Sequence, residues 1–330
     1  MGGATGIALI GAGYWGNRLA RNLACADGCE LRHVCDVDPE RAQLTAEAYA
    51  AFAATSLATV LDDASVAAVL IATPASTHER LVAQAIDAGR HVLVEKPLAR
   101  SSAEARRLGA RAAAEHLVVM CDQTYRFATA VSVIREQLAA PDFGPVRTIE
   151  SVRVNCGHDQ PDVDVFWDLA YHDLAILDAM IPGVLGDELE ARAESRDIVG
   201  IGRPHQGELS LTWRTGLSAR IFVDWHGAAK VRTMRVSGDE HRVTWNDLAP
   251  GGSRVRRDNH AVRVEEQPEP LGRVVAEFLA AIAEERDASC GPAEEIPVLA
   301  VLEAATRSAS LSGAPVVVTP AESRATDFAR

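Results

Sequence analysis

The sequence is short of lysine, which occurs at only two of its 330 positions, Lys96 and Lys230. Every other basic residue among the 33 is arginine. Arginine stays protonated in proteins, whereas lysine gives up its proton once its pKa is lowered. A lysine between Glu95 and Pro97, directly after an apolar run, therefore makes the stretch HVLVEKPLA a first candidate for chemistry.

The chain also lacks an excess of positive charge, since its formal net charge is −13. Nucleic acids and anionic membranes need a basic face, so we expect neither as a partner. No apolar run approaches the ~20 residues of a membrane-spanning helix. The N-terminus, MGGATGIALIGAG, has no basic segment before its apolar run, so we expect no signal peptide and a cytoplasmic protein.

Diagnostic metal and disulfide patterns are missing as well. The six cysteines form no CxxC pair, and their irregular spacing fits neither a disulfide framework nor a zinc site. The stretch HDQPDVDVFWDLAYHD is rich in His and Asp. It contains no HExxH motif or EF-hand loop, so we expect no metal.

The first 124 residues alternate short apolar runs with longer, Ala-rich amphipathic segments. Buried strands separated by helices indicate a parallel, doubly wound sheet with helices on both faces. The predicted strands are 6–11, 31–36, 66–73, 91–96 and 116–121, and one predicted helix covers 39–53.

From residue 125 the pattern changes to alternating runs that predict a large, mostly antiparallel sheet. The length suffices for two domains, so we predict a dinucleotide-type domain over 1–124 and an α+β domain over 125–330. Whether the final helices pack back on the first domain stays open. Predicted strands are 147–155, 207–215, 217–225, 231–238 and 241–247, and predicted helices are 165–181, 272–285 and 298–313.

A glycine-rich turn, Gly11-x-Gly13-x-x-Gly16, joins the first predicted strand to the first helix. In a dinucleotide-binding (Rossmann) domain these glycines allow the tight turn, the approach of a pyrophosphate and close helix packing. Twenty residues after Gly16, Asp36 ends the second strand, where a carboxylate binds the adenosine ribose and repels a 2′-phosphate. We therefore expect NAD rather than NADP, with Asp38 as a possible substitute for Asp36.

Three residues are candidates for catalysis. Lys96 ends a predicted parallel strand, and ligands bind outside such ends. Asp168 and His172 are four residues apart, so on a helix they share one face and the carboxylate can orient the imidazole. The alternatives are a lysine that merely extends from a strand end, a helix-capping carboxylate and a core histidine.

The stretches GAGYWGNRLARNL, VAAVLIATPASTHE, EKP and DLAYHD follow one another as in the glucose–fructose oxidoreductase / inositol dehydrogenase / MocA (Gfo/Idh/MocA) family, which the whole chain resembles. The resemblance implies an NAD(P)-dependent dehydrogenase or ketoreductase acting on CH–OH groups of sugars. It implies a homodimer or homotetramer assembled through the C-terminal sheet, and a cis Lys96–Pro97 bond. It also implies that Lys96, Asp168 and His172 form the catalytic group. The implied cofactor set is Gly11, Gly13, Tyr14, Trp15, Gly16, Asp36, Thr73, Pro74 and Glu95.

The substrate is less well specified. GYWG and DVDVFWDLAYHD look most like members that act on nucleotide-linked sugars, and Tyr125, Arg126 and Asn155 are candidates for facing the substrate, although each also fits a structural contact. An inositol, another free polyol or a monosaccharide is the second possibility. An NAD-dependent glycosidase and a non-catalytic dinucleotide sensor are two further alternatives, the latter opposed by the intact catalytic group.

Overall fold

The structure is a computed structural model that describes residues 4–157, 159–197, 200, 202–250, 254–265 and 267–319. The described residues form two compact units. The first contains the chain up to Thr124 together with Pro268–Ile296, and the second contains Tyr125–Gln267 together with residues 297–319. The sequence predicts a second domain over 125–330. The structure groups Pro268–Ile296, which holds one of the late helices, with the first unit.

A six-stranded sheet forms the centre of the first unit. Its strands are β1 (Thr5–Ile10), β2 (Cys29–Cys35), β3 (Phe52–Ala54), β4 (Ala68–Ile71), β5 (His91–Glu95) and β6 (Val119–Asp122). All pair in parallel, in the order β3-β2-β1-β4-β5-β6. The strand order reverses between β1 and β4, and ligands of such sheets bind at the carboxyl ends beside this reversal. The predicted doubly wound sheet is confirmed.

Helices cover this sheet because their apolar residues recur at helical spacing and are buried against the strands. In the first unit they are α1 (Tyr14–Ala24), α2 (Pro39–Ala48), α3 (Leu57–Leu61), α4 (His78–Asp87), α5 (Ser102–Ala114) and α8 (Pro270–Ala283). The late helix α8 packs on α1, and Arg21 pairs with Glu269 just before α8 (Nη2–Oε2 2.6 Å).

One predicted helix is too long. The sequence predicts a helix over 39–53, whereas α2 ends at Ala48 and a short edge strand follows at Phe52–Ala54. Ala50 has a φ of 54°, a left-handed conformation that ends the helix. Alanine has a high helix propensity, so the Ala-rich sequence hides this break.

A nine-stranded sheet forms the centre of the second unit, in the order β14-β13-β12-β11-β7-β10-β9-β8-β15. Every neighbouring pair is antiparallel except β7 and β10. This agrees with the predicted mostly antiparallel sheet. The strands are β7 (Val146–Cys156), β8 (Leu189–Arg196), β9 (Gln206–Trp213), β10 (Ser218–Asp224), β11 (His226–Gly238), β12 (Arg242–Asn246), β13 (Val255–Arg257), β14 (His260–Ala261) and β15 (Val316–Val318).

Two further helices belong to this part of the chain, α6 (Thr129–Leu138) and α7 (Tyr171–Met180), and α9 (Pro292–Ser310) contributes most of its length. Strand residues alternate between buried and exposed, as in β8, where Leu189, Ala191 and Ala193 are buried. In the part of the chain that the structure describes, no helix is long and apolar enough to cross a membrane.

Candidate active site

The glycine turn after β1 is shaped for close approach of a ligand. Gly11 has a φ of +95°, and a Cβ there would lie 2.6 Å from the carbonyl oxygen of Ala72. A Cβ on Gly16 would lie 1.9 Å from the carbonyl oxygen of Gly11, so only glycine lets α1 pass so close. A Cβ on Gly13 would meet no atom within 4 Å. Open space in front of a helix N-terminus is what a pyrophosphate requires.

Asp36 is bound directly to this turn. Its Oδ2 accepts a hydrogen bond from the Ala12 N–H at 2.7 Å, and its Oδ1 accepts one from the Asp38 N–H at 2.9 Å. Asp38 instead caps α2 and pairs with Arg41 (Oδ2–Nε 3.2 Å). Asp36 is therefore the better candidate for the ribose-binding carboxylate, because Asp38 is engaged as the N-cap of α2.

Two exposed aromatic residues begin α1. Tyr14 is 64% exposed and Trp15 is 42% exposed, and the Arg18 guanidinium lies 4.5 Å and 5.5 Å from their ring centroids. Arg18 also donates a hydrogen bond to the Tyr14 hydroxyl at 2.6 Å. Together with the open glycine turn and Asp36, these residues fit a bound dinucleotide.

The loop after β4 carries Thr73 and Pro74 and is held by a buried histidine. The Thr73 and Thr77 hydroxyls are hydrogen-bonded at 2.6 Å. The ring of His78 lies between two carbonyl oxygens: Nε2 is 2.9 Å from that of Thr73 and Nδ1 is 2.7 Å from that of Pro97. One imidazole thus joins the loop after β4 to the turn after β5.

Lys96 begins that second turn, and the Lys96–Pro97 bond is cis. The turn is also held from α9, where the buried Glu295 accepts hydrogen bonds from the Leu98 N–H at 3.1 Å and the Gln123 side-chain amide at 2.7 Å. His78 and Glu295 therefore fix the backbone that carries Lys96. Sequence analysis misses both residues, because a single His or Glu at the start of a helix resembles any other first-turn residue.

Two buried carboxyl groups lie beside Lys96. Glu95 and Asp122 are register partners at the carboxyl ends of β5 and β6, and the Thr124 hydroxyl donates a hydrogen bond to Asp122 Oδ1. Burial raises the pKa of Asp122 to about 6. Burial, and then the Asp122 charge, raise the pKa of Glu95 well above its usual range, while the Lys96 cation opposes the rise in both pKa values. The raised pKa values mean that the pair holds a proton at pH values at which isolated carboxylates have lost theirs.

In the second unit, Asp168 and His172 lie on a helix that opens with a π-helical turn, Phe166–Ala170, and continues as α7. Such turns are rare in proteins, and those that occur are often found at functional sites. Asp168 is buried, and its Oδ2 accepts a hydrogen bond from the Trp225 indole N–H at 2.8 Å. The indole fixes this carboxylate, while the role of Asp168 in orienting His172 stays a prediction.

Tyr125, one of the three predicted substrate residues, lies against His172, the candidate catalytic histidine. Its ring centroid is 4.9 Å from that of His172, in an edge-on arrangement. The guanidinium of Arg153 lies 4.5 Å from the Tyr125 ring centroid. Arg153 itself is buried in a two-point ion pair with Asp173, at 2.9 Å and 3.1 Å.

The other two predicted substrate residues differ from Tyr125. Arg126 pairs with Asp178 on α7 (Nη1–Oδ2 3.0 Å), and both side chains are largely buried. This is the structural contact that the sequence also allows for Arg126. Asn155 is half-buried near the end of β7, two residues after Arg153 and therefore on the same face of the sheet.

Among the described residues, no group of three or more His, Cys, Asp or Glu side chains could hold a metal ion. His158, in the His- and Asp-rich stretch, lies outside the described residues. All six cysteines are free thiols.

Comparison with known proteins shows to which family these features belong. The model of an oxidoreductase family with an NAD-binding Rossmann fold, Gfo/Idh/MocA, matches residues 5–123. The chain is 30% identical over 245 residues to UDP-N-acetylglucosamine 3-dehydrogenase of Acidithiobacillus ferrooxidans, a match over 74% of this chain and 71% of that enzyme. The chain belongs to the Gfo/Idh/MocA family. It is an NAD(P)-dependent oxidoreductase, as the resemblance implies.

Two further relatives extend the comparison. Inositol 2-dehydrogenase 2 of Saccharopolyspora erythraea is 31% identical over 209 residues, which cover 60% of this chain and 59% of that enzyme. The crystal structure of GenD2 from gentamicin A biosynthesis, in complex with NAD, superposes with a TM-score of 0.85. The two sequences are 26% identical, and the superposition covers 96% of this chain and 97% of that one. The whole Gfo/Idh/MocA architecture is therefore present.

Proposed function

We propose that this enzyme transfers a hydride between NAD and a ring hydroxyl or ketone of a sugar, and that the sugar is linked to a nucleotide. The observation that carries the nucleotide-linked sugar is the similarity to UDP-N-acetylglucosamine 3-dehydrogenase, which extends over most of both chains. Asp36, bound to the glycine turn, supports NAD rather than NADP.

The cofactor supplies the hydride chemistry when bound, through the C4 position of its nicotinamide ring. Its pyrophosphate would lie over Gly13 and the N-terminus of α1, and its adenosine ribose would bind Asp36. Tyr14, Trp15, Thr73, Pro74 and Glu95 complete the proposed cofactor set. Glu95 would support the cofactor site from the protein interior, because it is buried together with Asp122.

Lys96 is the proposed electrostatic catalyst. Negative charge develops on the sugar oxygen during hydride transfer, and a positioned ammonium group stabilises that charge more in the transition state than in the ground state. The hydrogen bonds of His78 and Glu295 to the backbone of residues 97 and 98 would keep the ammonium in place.

His172 is the proposed proton carrier. In the oxidative direction the C–H bond breaks and its hydride leaves, the hydroxyl proton moves to the imidazole, and a ketone and an imidazolium result. Asp168, fixed by Trp225, would stabilise the imidazolium. In the reductive direction the same imidazolium returns the proton to the alkoxide.

A free polyol is the second candidate substrate, and the similarity to inositol 2-dehydrogenase 2 favours it. The two candidates differ in charge, because a nucleotide-linked sugar carries a diphosphate and inositol is neutral. A substrate panel separates them directly.

The test is a panel of nucleotide sugars, sugar phosphates, free sugars, inositols and glycosides, each incubated with NAD and with NADP while reduced nicotinamide and released sugar are measured. We expect NAD reduction with a nucleotide sugar. Reduction with inositol alone would instead support the free-polyol dehydrogenase. Cleavage of a glycoside without net reduced cofactor would identify a glycosidase. NAD binding with no turnover on any compound would support a dinucleotide sensor.

A further inference from the structure

Two arginines face each other across neighbouring strands in the second unit. Arg153 on β7 is the register partner of Arg232 on β11. Like charges directly opposite each other destabilise a sheet, so this arrangement needs compensation. Asp173 pairs with Arg153 at 2.9 Å, and Asp247 pairs with Arg232 at 3.3 Å. These two carboxylates neutralise the two arginines.

Lys230 adds a third cation, so that three basic side chains share two carboxylates. It is exposed on β11, two residues before Arg232, and among the described residues it has no ion-pair partner. The Arg232 charge, followed by partial burial, lowers the pKa of Lys230, while Asp247 and Cys156 oppose this shift and Arg153 adds to it. The cluster of Lys230, Arg232 and Arg153 therefore keeps one uncompensated positive charge, in a chain whose net charge is −13.

The cluster lies next to the proposed catalytic histidine. Both arginines contact Tyr125. The guanidinium of Arg232 lies 5.4 Å from the Tyr125 ring centroid, and the guanidinium of Arg153 lies 4.5 Å from the same centroid. The Tyr125 ring in turn packs edge-on against His172. The Nε of Arg232 is buried and has no hydrogen-bond partner among the described residues. The ion pair with Asp247 therefore leaves this N–H donor of the guanidinium unused.

We propose that Lys230 and Arg232 bind a phosphate group of the substrate. This inference rests on the proposed function, since it assigns the anionic part of the same sugar substrate. Lysine binds phosphate as a point charge and arginine binds it through its planar donors, so the two types complement each other. The Tyr125 ring separates the excess positive charge from His172. This spacing matches a substrate whose phosphate is attached to the sugar ring that reacts. A nucleoside diphosphate and a simple phosphate ester share this chemistry.

The test measures binding rather than turnover, by calorimetric titration of the NAD-loaded protein. NAD occupies the glycine turn, so that added phosphates cannot bind there. The probes are UDP, inorganic pyrophosphate and glucose 6-phosphate. We expect at least one to bind, with an affinity that falls on the order of five- to tenfold in Lys230→Met and in Arg232→Met. Binding of UDP or pyrophosphate indicates a diphosphate, and binding of glucose 6-phosphate alone indicates a simple ester.

The matched control is Arg214→Met. Arg214 lies in the turn after β9, is exposed and pairs with Glu188, and it takes no part in the cluster. Its substitution removes the same charge and should leave the affinity unchanged. Because Lys230 is exposed, Lys230→Met tests the site even if Arg232→Met fails to fold. Absence of binding by all three probes would overturn the proposal, as would an equal loss of affinity in Arg214→Met and Lys230→Met.

The titration and the substrate panel together distinguish failure of the phosphate site from failure of the proposed function. If no compound in the substrate panel is oxidised or reduced, the titration still decides whether the phosphate site exists. If a neutral polyol is oxidised and none of the probes binds, the oxidoreductase chemistry stands and the phosphate site is wrong.

Discussion

At the residue scale, we propose that Asp36 selects between the two nicotinamide cofactors. Its carboxylate is fixed at the glycine turn by the Ala12 N–H, where it would repel a 2′-phosphate. We expect the native protein to bind NAD more tightly than NADP, and Asp36→Ala to reduce that difference roughly tenfold. Titration of both cofactors against the variant and against Glu30→Ala, which removes an exposed carboxylate from the other end of β2, measures the effect. Native protein that prefers NADP would contradict this role.

His172 is the second residue whose role is decisive, because it is the proposed carrier of the substrate proton. Removing a positioned acid–base group costs on the order of 10²–10⁴ in rate. We expect His172→Ala to lose turnover by such a factor while its NAD affinity stays nearly unchanged. Turnover and NAD binding are measured on the same preparation. A variant with most of its activity would identify His172 as a core histidine that merely packs against Tyr125.

At the scale of the elements, the ends of β5 and β6 contain the buried pair Glu95 and Asp122, and this pair couples stability to pH. The pKa of Asp122 is raised to about 6 from an ordinary value of 3.8. The folded protein therefore binds this proton more tightly than the unfolded chain. The stabilisation is complete below pH 3.8 and is lost as the pH rises through about 6.

Asp122→Asn keeps the shape of the side chain and removes this titration. Between pH 4 and pH 7, the unfolding free energy of the native protein should fall relative to that of the variant by on the order of 3 kcal/mol. This figure follows from about 1.4 kcal/mol for each unit by which the pKa of Asp122 is raised. Urea unfolding of both proteins across that range measures the difference, and Asp62→Asn, an exposed substitution in the same unit, is the control. Parallel pH profiles for native protein and Asp122→Asn would show that the pair does not hold a proton.

The elements also show what the sequence can and cannot predict. The five longer parallel strands and the helix around His172 are predicted, since their apolar runs and helical spacing are strong local signals. The edge strand β3 is missed because two of its three residues are alanine, and β8 is missed because alanine and charged residues, which carry little strand signal, fill six of its eight positions. The π-helical turn at Phe166–Ala170 is also missed, because the residue pattern around it predicts an ordinary α-helix.

The candidate site is predicted where it depends on motifs and missed where it depends on pairing between distant residues. Gly11, Gly13 and Asp36 stand out by spacing alone. The partnership of Glu95 with Asp122 and the hydrogen bond from Trp225 to Asp168 depend on strand register and on packing. Those contacts join residues 27 and 57 positions apart, so no local pattern contains them.

At the scale of the whole molecule, the open face of the nine-stranded sheet bears on assembly. Across β11, β7, β10 and β9 this face carries charges of alternating sign, with Arg235 paired to Glu150 at 3.0 Å and Arg220 paired to Glu208 at 2.7 Å. Half-buried Phe222 lies on the same face, two residues after Arg220. We predict a homodimer or homotetramer of the 35.2 kDa chain assembled through this face.

Light scattering of the native protein and of Phe222→Asp measures this assembly. We expect a mass of two or four chains for the native protein and a smaller mass for the variant, because a charge in the centre of an interface is costly to desolvate. A native protein with the mass of a single chain would contradict the prediction.

We propose that Lys96 acts on the reacting oxygen of the substrate, and the rate of hydride transfer by Lys96→Arg separates this role from a simple need for positive charge. Arginine is the ordinary cation of this chain, so a simple need for positive charge would be satisfied. Guanidinium is larger, spreads its charge and keeps its proton, so it cannot replace a compact ammonium beside the developing alkoxide. With the substrate found in the panel, we predict that Lys96→Arg, like Lys96→Met, binds NAD normally and loses turnover in both directions. Near-native turnover by Lys96→Arg would contradict the assigned role of this lysine.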